Sequence, residues 1–293
     1  MFQNIYLLNQ ELASNKKIKV VGIDITENKA TALTYLKSIL PEKEPPNKIK
    51  GNIEVLRNKS IESSTFENTL KDIVADLKIN ENEYIDYFKD NYTGFKLVCN
   101  NYIIKNIEGA KLDFDKYLEI RDEAMYNTFK YIYSLLPPGN YVGQFGSTHV
   151  YQKNLRSASS IRKVNSNIAS RLANSEDSPV KGKVLSMIYY YQNCEASSYN
   201  NSGYETYKVS TYYLNKDILN SAAKSNFTLY RFTGYNSPFK KNSYLLEYID
   251  EAPTTDFFSY IILIKNSKAV NMYKNTLPCS AEFPQKSVNS FKN

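Results

Sequence analysis

The stretch from Asp113 to Leu136 reads as the longest helix of the chain, capped by Asp113 and stopped by Pro137-Pro138-Gly139. Its apolar stripe, Leu118, Met125, Phe129, Ile132 and Leu136, has to be buried against another element. The apolar run 141–145 follows at once and predicts a strand. Helix, tight turn and strand then make an αβ hairpin. Residues 18–25, Ile-Lys-Val-Val-Gly-Ile-Asp-Ile, predict a second strand, apolar enough to be buried on both faces. It ends at Asp24, and Thr26-Glu-Asn28 can cap a helix over 30–40 that Pro41 to Pro46 break. This alternation predicts an α/β fold: a central, mostly parallel sheet flanked by helices.

The remaining elements fill out one domain over residues 1–285. Phe2, Ile5, Leu8 and Leu12 share one stripe of an N-terminal helix. Residues 47–110 show helical spacing at 66–77, 84–88 and 95–107 and no convincing strand, so they predict a helical insertion or cap. Further on, a helix is expected over 159–173, a strand over 183–191, a helix over 218–223, and strands over 227–232 and 257–264. The Ser/Asn-rich segment from Cys194 to Gly203 reads as a mobile loop. Residues 286–293 read as a flexible tail.

Composition narrows the function classes. The hydrophobic fraction of 42% and charged fraction of 23% are those of a globular protein. The net charge of +7 is spread over scattered lysines interspersed with acids, so no nucleic-acid partner is expected. Cys99, Cys194 and Cys279 are far apart and form no CxxC, which excludes a zinc site of the usual kind and a disulfide-built fold. No apolar run is long enough to span a membrane, and the N-terminus has neither the basic region nor the cleavage site of a signal peptide. A cytoplasmic protein with no membrane partner, no metal and no cofactor is therefore expected. Exposed strand edges would favour self-association, which leaves a homo-oligomer open.

The chain contains one histidine, His149, in Gly146-Ser147-Thr148-His149. Imidazole moves protons near neutral pH, so any histidine chemistry must pass through this residue. Glycine is scarce, yet Gly139, Gly143 and Gly146 cluster just ahead of it, as suits a tight turn or close approach to a ligand. The plainer alternative is a solvated or merely hydrogen-bonded ring. Arg121 is three residues after Leu118 and four before Met125, so it projects toward the buried face of the long helix. A charge there must face a buried carboxylate, Asp24 being the candidate, or line a polar pocket. Glu119, Asp122 and Glu123 read as ordinary charges on the helix surface. With parallel strands, Asp24, Arg121 and His149 converge at the carboxyl edge of the sheet, where open α/β sheets bind ligands. There is no GxSxG elbow, P-loop, GxGxxG or HExxH, and the sequence groups no carboxylates around the single His for a metal.

Taken in order, Val-Val-Gly-Ile-Asp24, Arg121-Asp122-Glu-Ala-Met125, Gly146-Ser-Thr-His149-Val, Asn167-Ile-Ala-Ser-Arg-Leu172 and the strand from Lys183 resemble the erythromycin esterase-like family. That family belongs to a wider group with the Tiki and ChaN-like proteins, and the resemblance runs over about residues 1–265. It implies an α/β fold with helical additions and a hydrolase in which a His-activated water attacks an ester carbonyl, supported by Glu and Arg. On that pattern His149 and Arg121 are catalytic, Arg121 stabilising negative charge, and Asp24, Gly146, Ser147 and Thr148 contact a small-molecule substrate. The chain departs from the pattern twice. Gly146 stands where macrolide esterases of the family carry a second histidine, and the family's first Gly-Glu…His block would precede Met1. A truncated or catalytically degenerate relative is therefore expected. The competing reading is a non-catalytic small-molecule-binding module on the same fold.

Overall fold

The computed structural model describes residues 2–25, 28–58, 63–104, 114–153, 167–200, 203–211, 216–241 and 252–269. The expected cap Asp113, residues 159–166 of the helix expected over 159–173, residues 105–107 and the tail 286–293 lie outside these. Helices come first: α1 (Phe2–Glu11), α2 (Lys29–Ser38), α3 (Lys50–Arg57), α4 (Ser63–Asp76), α5 (Glu81–Phe88), α6 (Tyr92–Ile103), α7 (Phe114–Leu135) and α8 (Ile168–Asn174). Strands β1 (Met187–Gln192), β2 (Cys194–Asn200) and β3 (Gly203–Val209) follow, then α9 (Lys216–Ala222), β4 (Phe227–Arg231) and β5 (Tyr260–Lys265).

Local signals account for the helices. Asn28 caps α2, its side-chain oxygen accepting the Thr31 N–H at 3.1 Å. Glu81 and Glu83 place negative charge in the first turn of α5. Helix α3, which no sequence signal above singles out, buries Ile53 and Leu56, three residues apart. Together α2 to α6 close on one core that includes Leu36, Ile53, Leu70, Tyr84 and Phe95. Phe88 and Phe95 stack there with ring centroids 4.0 Å apart.

The main sheet is small and mixed, in the order β1-β5-β4: β1 is parallel to β5 and β4 antiparallel to it. Ile188, Tyr190, Ile261 and Leu263 point into a core with Phe232, Phe257 and Phe258. Met187, Tyr189, Phe227 and Leu229 on the other face are exposed. This one-sided burial differs from the doubly covered, mostly parallel sheet expected above. The two segments expected to extend it, 18–25 and 141–145, are outside any helix or strand and join no ladder. A side chain takes the place of a neighbouring strand for the first. Asn9 of α1 bonds both backbone groups of Ile18, accepting its N–H at 2.8 Å and donating to its C=O at 2.9 Å. In the second, Tyr141 packs into an aromatic group with Phe129 and Tyr133, while Val142 is fully exposed.

The segment expected as a mobile loop from Cys194 is instead an antiparallel hairpin, β2 with β3, in the register Cys194↔Val209 to Asn200↔Gly203. Its strands are polar because most of their side chains face water, and inter-strand hydrogen bonds define them. Among the described residues, no helix is long and apolar enough to cross a membrane.

Candidate functional site

Helix α7 organises the polar centre through two adjacent residues. Neighbours on a helix point about 100° apart, so Arg121 and Asp122 reach different partners. Arg121 turns to the extended segment 17–25 and makes a two-point contact with Asp24: Nε donates to Oδ1 at 2.9 Å and Nη2 to Oδ2. Arg121 thus meets the carboxylate expected for it, Asp24, but that carboxylate is about half exposed rather than buried. Burial raises the Asp24 carboxyl, but the hydrogen bond and charge of Arg121, the Ile25 N–H and the charge of His149 outweigh it. The carboxyl is held below its ordinary range. Arg121 is pushed up, chiefly by its hydrogen bond to Asp24, and Asp122 adds a charge contribution.

Asp122 points the other way and is 1% exposed. Its carboxylate meets Nδ1 of His149 at 2.9 and 3.0 Å and accepts the Ile168 N–H at 2.8 Å. The expectation that Asp122 is a surface charge is thus overturned. The signal was present in the sequence: Leu118, Asp122, Met125, Phe129, Ile132 and Leu136 follow an alternating four-three spacing, with Asp122 on the stripe itself. Asn167 and Ile168, at the start of α8, stand out in the sequence only within the block Asn167 to Leu172, not as site residues.

His149 closes a short 3₁₀ turn, Ser147–His149, in which its own N–H bonds the Gly146 carbonyl at 3.0 Å. The ring is buried, so the reading of a solvated histidine does not hold. An ionised carboxylate only accepts, so this contact favours a proton on Nδ1 and, in a neutral ring, a lone pair on Nε2. Among the described residues, none forms a hydrogen bond with Nε2. Gly146 lies beside the ring, where an added Cβ would stand 3.6 Å from His149 Cδ2. Ser147 is exposed, Thr148 is half-buried, and neither hydroxyl bonds the charged quartet. Among the described residues, no group of three or more His, Cys, Asp or Glu is placed to hold a metal.

Chemically, the centre couples a buried imidazole with one basic nitrogen free, a carboxylate that fixes its tautomer, and a guanidinium–carboxylate pair within electrostatic reach. An imidazole so placed can take a proton from a water or hydroxyl, and Arg121 projects from the residue next to Asp122 on the same helix.

The chain has an erythromycin esterase-like fold. Two solved structures share it: the erythromycin esterase EreC, a mutant in its open conformation, and a succinoglycan biosynthesis protein. The first superposes with a TM-score of 0.54 at 11% identity, over 90% of this chain and 72% of that one. The second gives 0.56 at 11% identity, over 91% and 69%. No protein-family model matches the chain, and no curated protein matches it in sequence.

Proposed function

We propose that this chain is an erythromycin esterase-like hydrolase that cleaves carboxylic esters through a water activated by His149. The observation that supports it is the buried His149–Asp122 bond, made by the helix residue next to Arg121, which itself pairs with Asp24. Nε2 takes a proton as the water oxygen attacks the carbonyl carbon. Asp122 steadies the imidazolium that forms. Two N–H donors of Arg121 are engaged with Asp24, so its other donors are available to the carbonyl oxygen as negative charge develops. Collapse breaks the C–O bond, and the departing alkoxide takes the proton back from Nε2. Gly146, Ser147 and Thr148 form the approach to the ring, and the helices of 47–110 act as the cap of a single domain.

Hydrolysis of p-nitrophenyl acetate and butyrate tests this reading. His149→Gln, which keeps polarity but cannot act as a base, should lower the rate by about 100-fold or more. Equal rates for variant and wild type would end the proposal. A second reading, a binding module without catalysis, is favoured by one fact: a single histidine has to do all the proton transfer. It predicts no hydrolysis by wild type at any ester concentration, together with saturable binding of an ester analogue that His149→Gln weakens.

A further inference from the structure

We infer that Asn167 is a positioning residue for the His149–Asp122 pair, holding the histidine in the tautomer whose Nε2 is basic. Among the described residues, no hydrogen bond joins Asn167 to either member of the pair. It is fully buried, at 0% exposure, and caps α8: its side-chain oxygen accepts the Ser170 N–H at 2.9 Å and its backbone oxygen accepts the Arg171 N–H at 3.0 Å. These two bonds fix the first turn of α8. The residue at the start of that turn is Ile168, whose N–H donates to Asp122 Oδ1 at 2.8 Å. Oδ1 is the oxygen that lies 2.9 Å from His149 Nδ1. A continuous series of short bonds thus runs from the Asn167 side chain through α8 to the imidazole.

The choice of asparagine supports a role beyond capping. Asp, Ser and Asn cap about equally well, yet Asn leaves its Nδ2 buried without a hydrogen-bond partner among the described residues, which is unfavourable. Aspartate would bury a further negative charge next in sequence to Ile168, whose N–H bonds Asp122, and serine is smaller than the fully buried asparagine side chain. Asparagine caps the helix while adding no charge beside the pair.

Asp122, at 1% exposure, depends on its two donors, Ile168 N–H and His149 Nδ1–H. With the cap removed, the first turn of α8 loosens and the Ile168 N–H withdraws. The carboxylate then shifts from Nδ1, which loses the acceptor that holds its proton, and part of the imidazole exchanges to the Nε2–H tautomer. The proton count is unchanged, and the lone pair that would activate water moves to Nδ1.

Because the chain has one histidine, a two-bond proton–nitrogen correlation spectrum of uniformly ¹⁵N-labelled protein reads its tautomer without assignment. Wild type should show Nδ1–H. Asn167→Ala should move the tautomer ratio toward Nε2–H by about tenfold, the scale of one hydrogen bond to a charged group. Asn167→Ser, which restores a cap, should return it. Asn167→Gly, a tolerated cap, should leave the ratio closer to wild type than Asn167→Ala does. The kinetic readout alone rests on the hydrolase reading above: kcat for p-nitrophenyl acetate should fall about tenfold in Asn167→Ala with KM unchanged, following the share of competent tautomer. A folded Ala variant that keeps the wild-type Nδ1–H spectrum overturns the inference. A tautomer that shifts as described in a protein hydrolysing no ester upholds the inference and sinks the hydrolase reading instead.

Discussion

Asp24 and Arg121 fasten two segments that are 97 residues apart in sequence, and the strength of that link depends on pH. Asp24 has its folded-state carboxyl lowered from an ordinary value of 3.8. Its contribution is therefore complete above about pH 4 and is lost as pH falls through the lower folded-state value. With the carboxylate about half exposed, the link is worth about 1 kcal/mol or less. Thermal melts of wild type and Asp24→Asn between pH 6 and pH 2 should show a gap that is largest above pH 4 and closes below it. A gap that widens on acidification would contradict the pairing. At this scale the sequence made three of the four charged groups visible. Asp24 ends an apolar run, Arg121 interrupts an apolar stripe, and His149 is unique. Asp122 was masked by its acidic neighbours Glu119 and Glu123, because a run of charges on a helix ordinarily faces water.

The helices illustrate what one element can encode by itself. Helices α2, α4, α5, α6, α7 and α9 fall where caps and three-four spacing place them, since both signals are contained within the element. Strands fared differently. Residues 18–25 and 141–145 have strand-like composition, but a strand exists only when another chain segment pairs with it, and no consecutive residues encode that partner. The hairpin β2–β3 shows the converse, a polar segment made into strands by mutual pairing. Packing between helices is equally non-local. Gly94 on α6 has no role legible in sequence, yet a Cβ there would lie 2.2 Å from Tyr35 Oη on α2 and 3.3 Å from Tyr131 Oη on α7. Burial, with the charges of Tyr131 and Cys99, pushes the Tyr35 hydroxyl up to about 12, so it stays protonated in place. Gly94→Ala should therefore cost about 1–3 kcal/mol through overpacking. Calorimetry would register this as a Tm lowered by about 2–4 °C per kcal/mol. An unchanged Tm would show that Tyr35 moves aside freely.

Over the whole molecule, the net charge of +7 is spread around a surface on which many lysines already pair with acids, among them Lys48–Glu83, Lys96–Glu81 and Lys153–Asp256. Such pairs reduce the field any one face can project. Binding to a random-sequence DNA duplex should accordingly be no tighter than about 1 µM at 0.15 M salt, as for non-specific contact. A fluorescence-anisotropy titration showing tighter, salt-resistant binding would require a basic face that the scattered charges do not suggest. Also at this scale, α7 joins the helical core to the polar centre. It packs against α6 on one side and α8 on another, and Arg121 and Asp122 project from its N-terminal half.

The sequence by itself determined most of the helices, the strands near 187–192, 227–231 and 260–265, the apolar faces to be buried, and the rarity of the residues able to move protons. Those properties reside in neighbouring residues, and local hydrogen bonding and periodic burial read them directly. Tertiary structure alone decided that β5 runs between β1 and β4, that Asn9 takes the place of a strand for Ile18, and that Asp122, His149 and Ile168 meet at one carboxylate. Each of these needs distant segments brought to within hydrogen-bond reach, and that closure is a property of the folded chain as a whole.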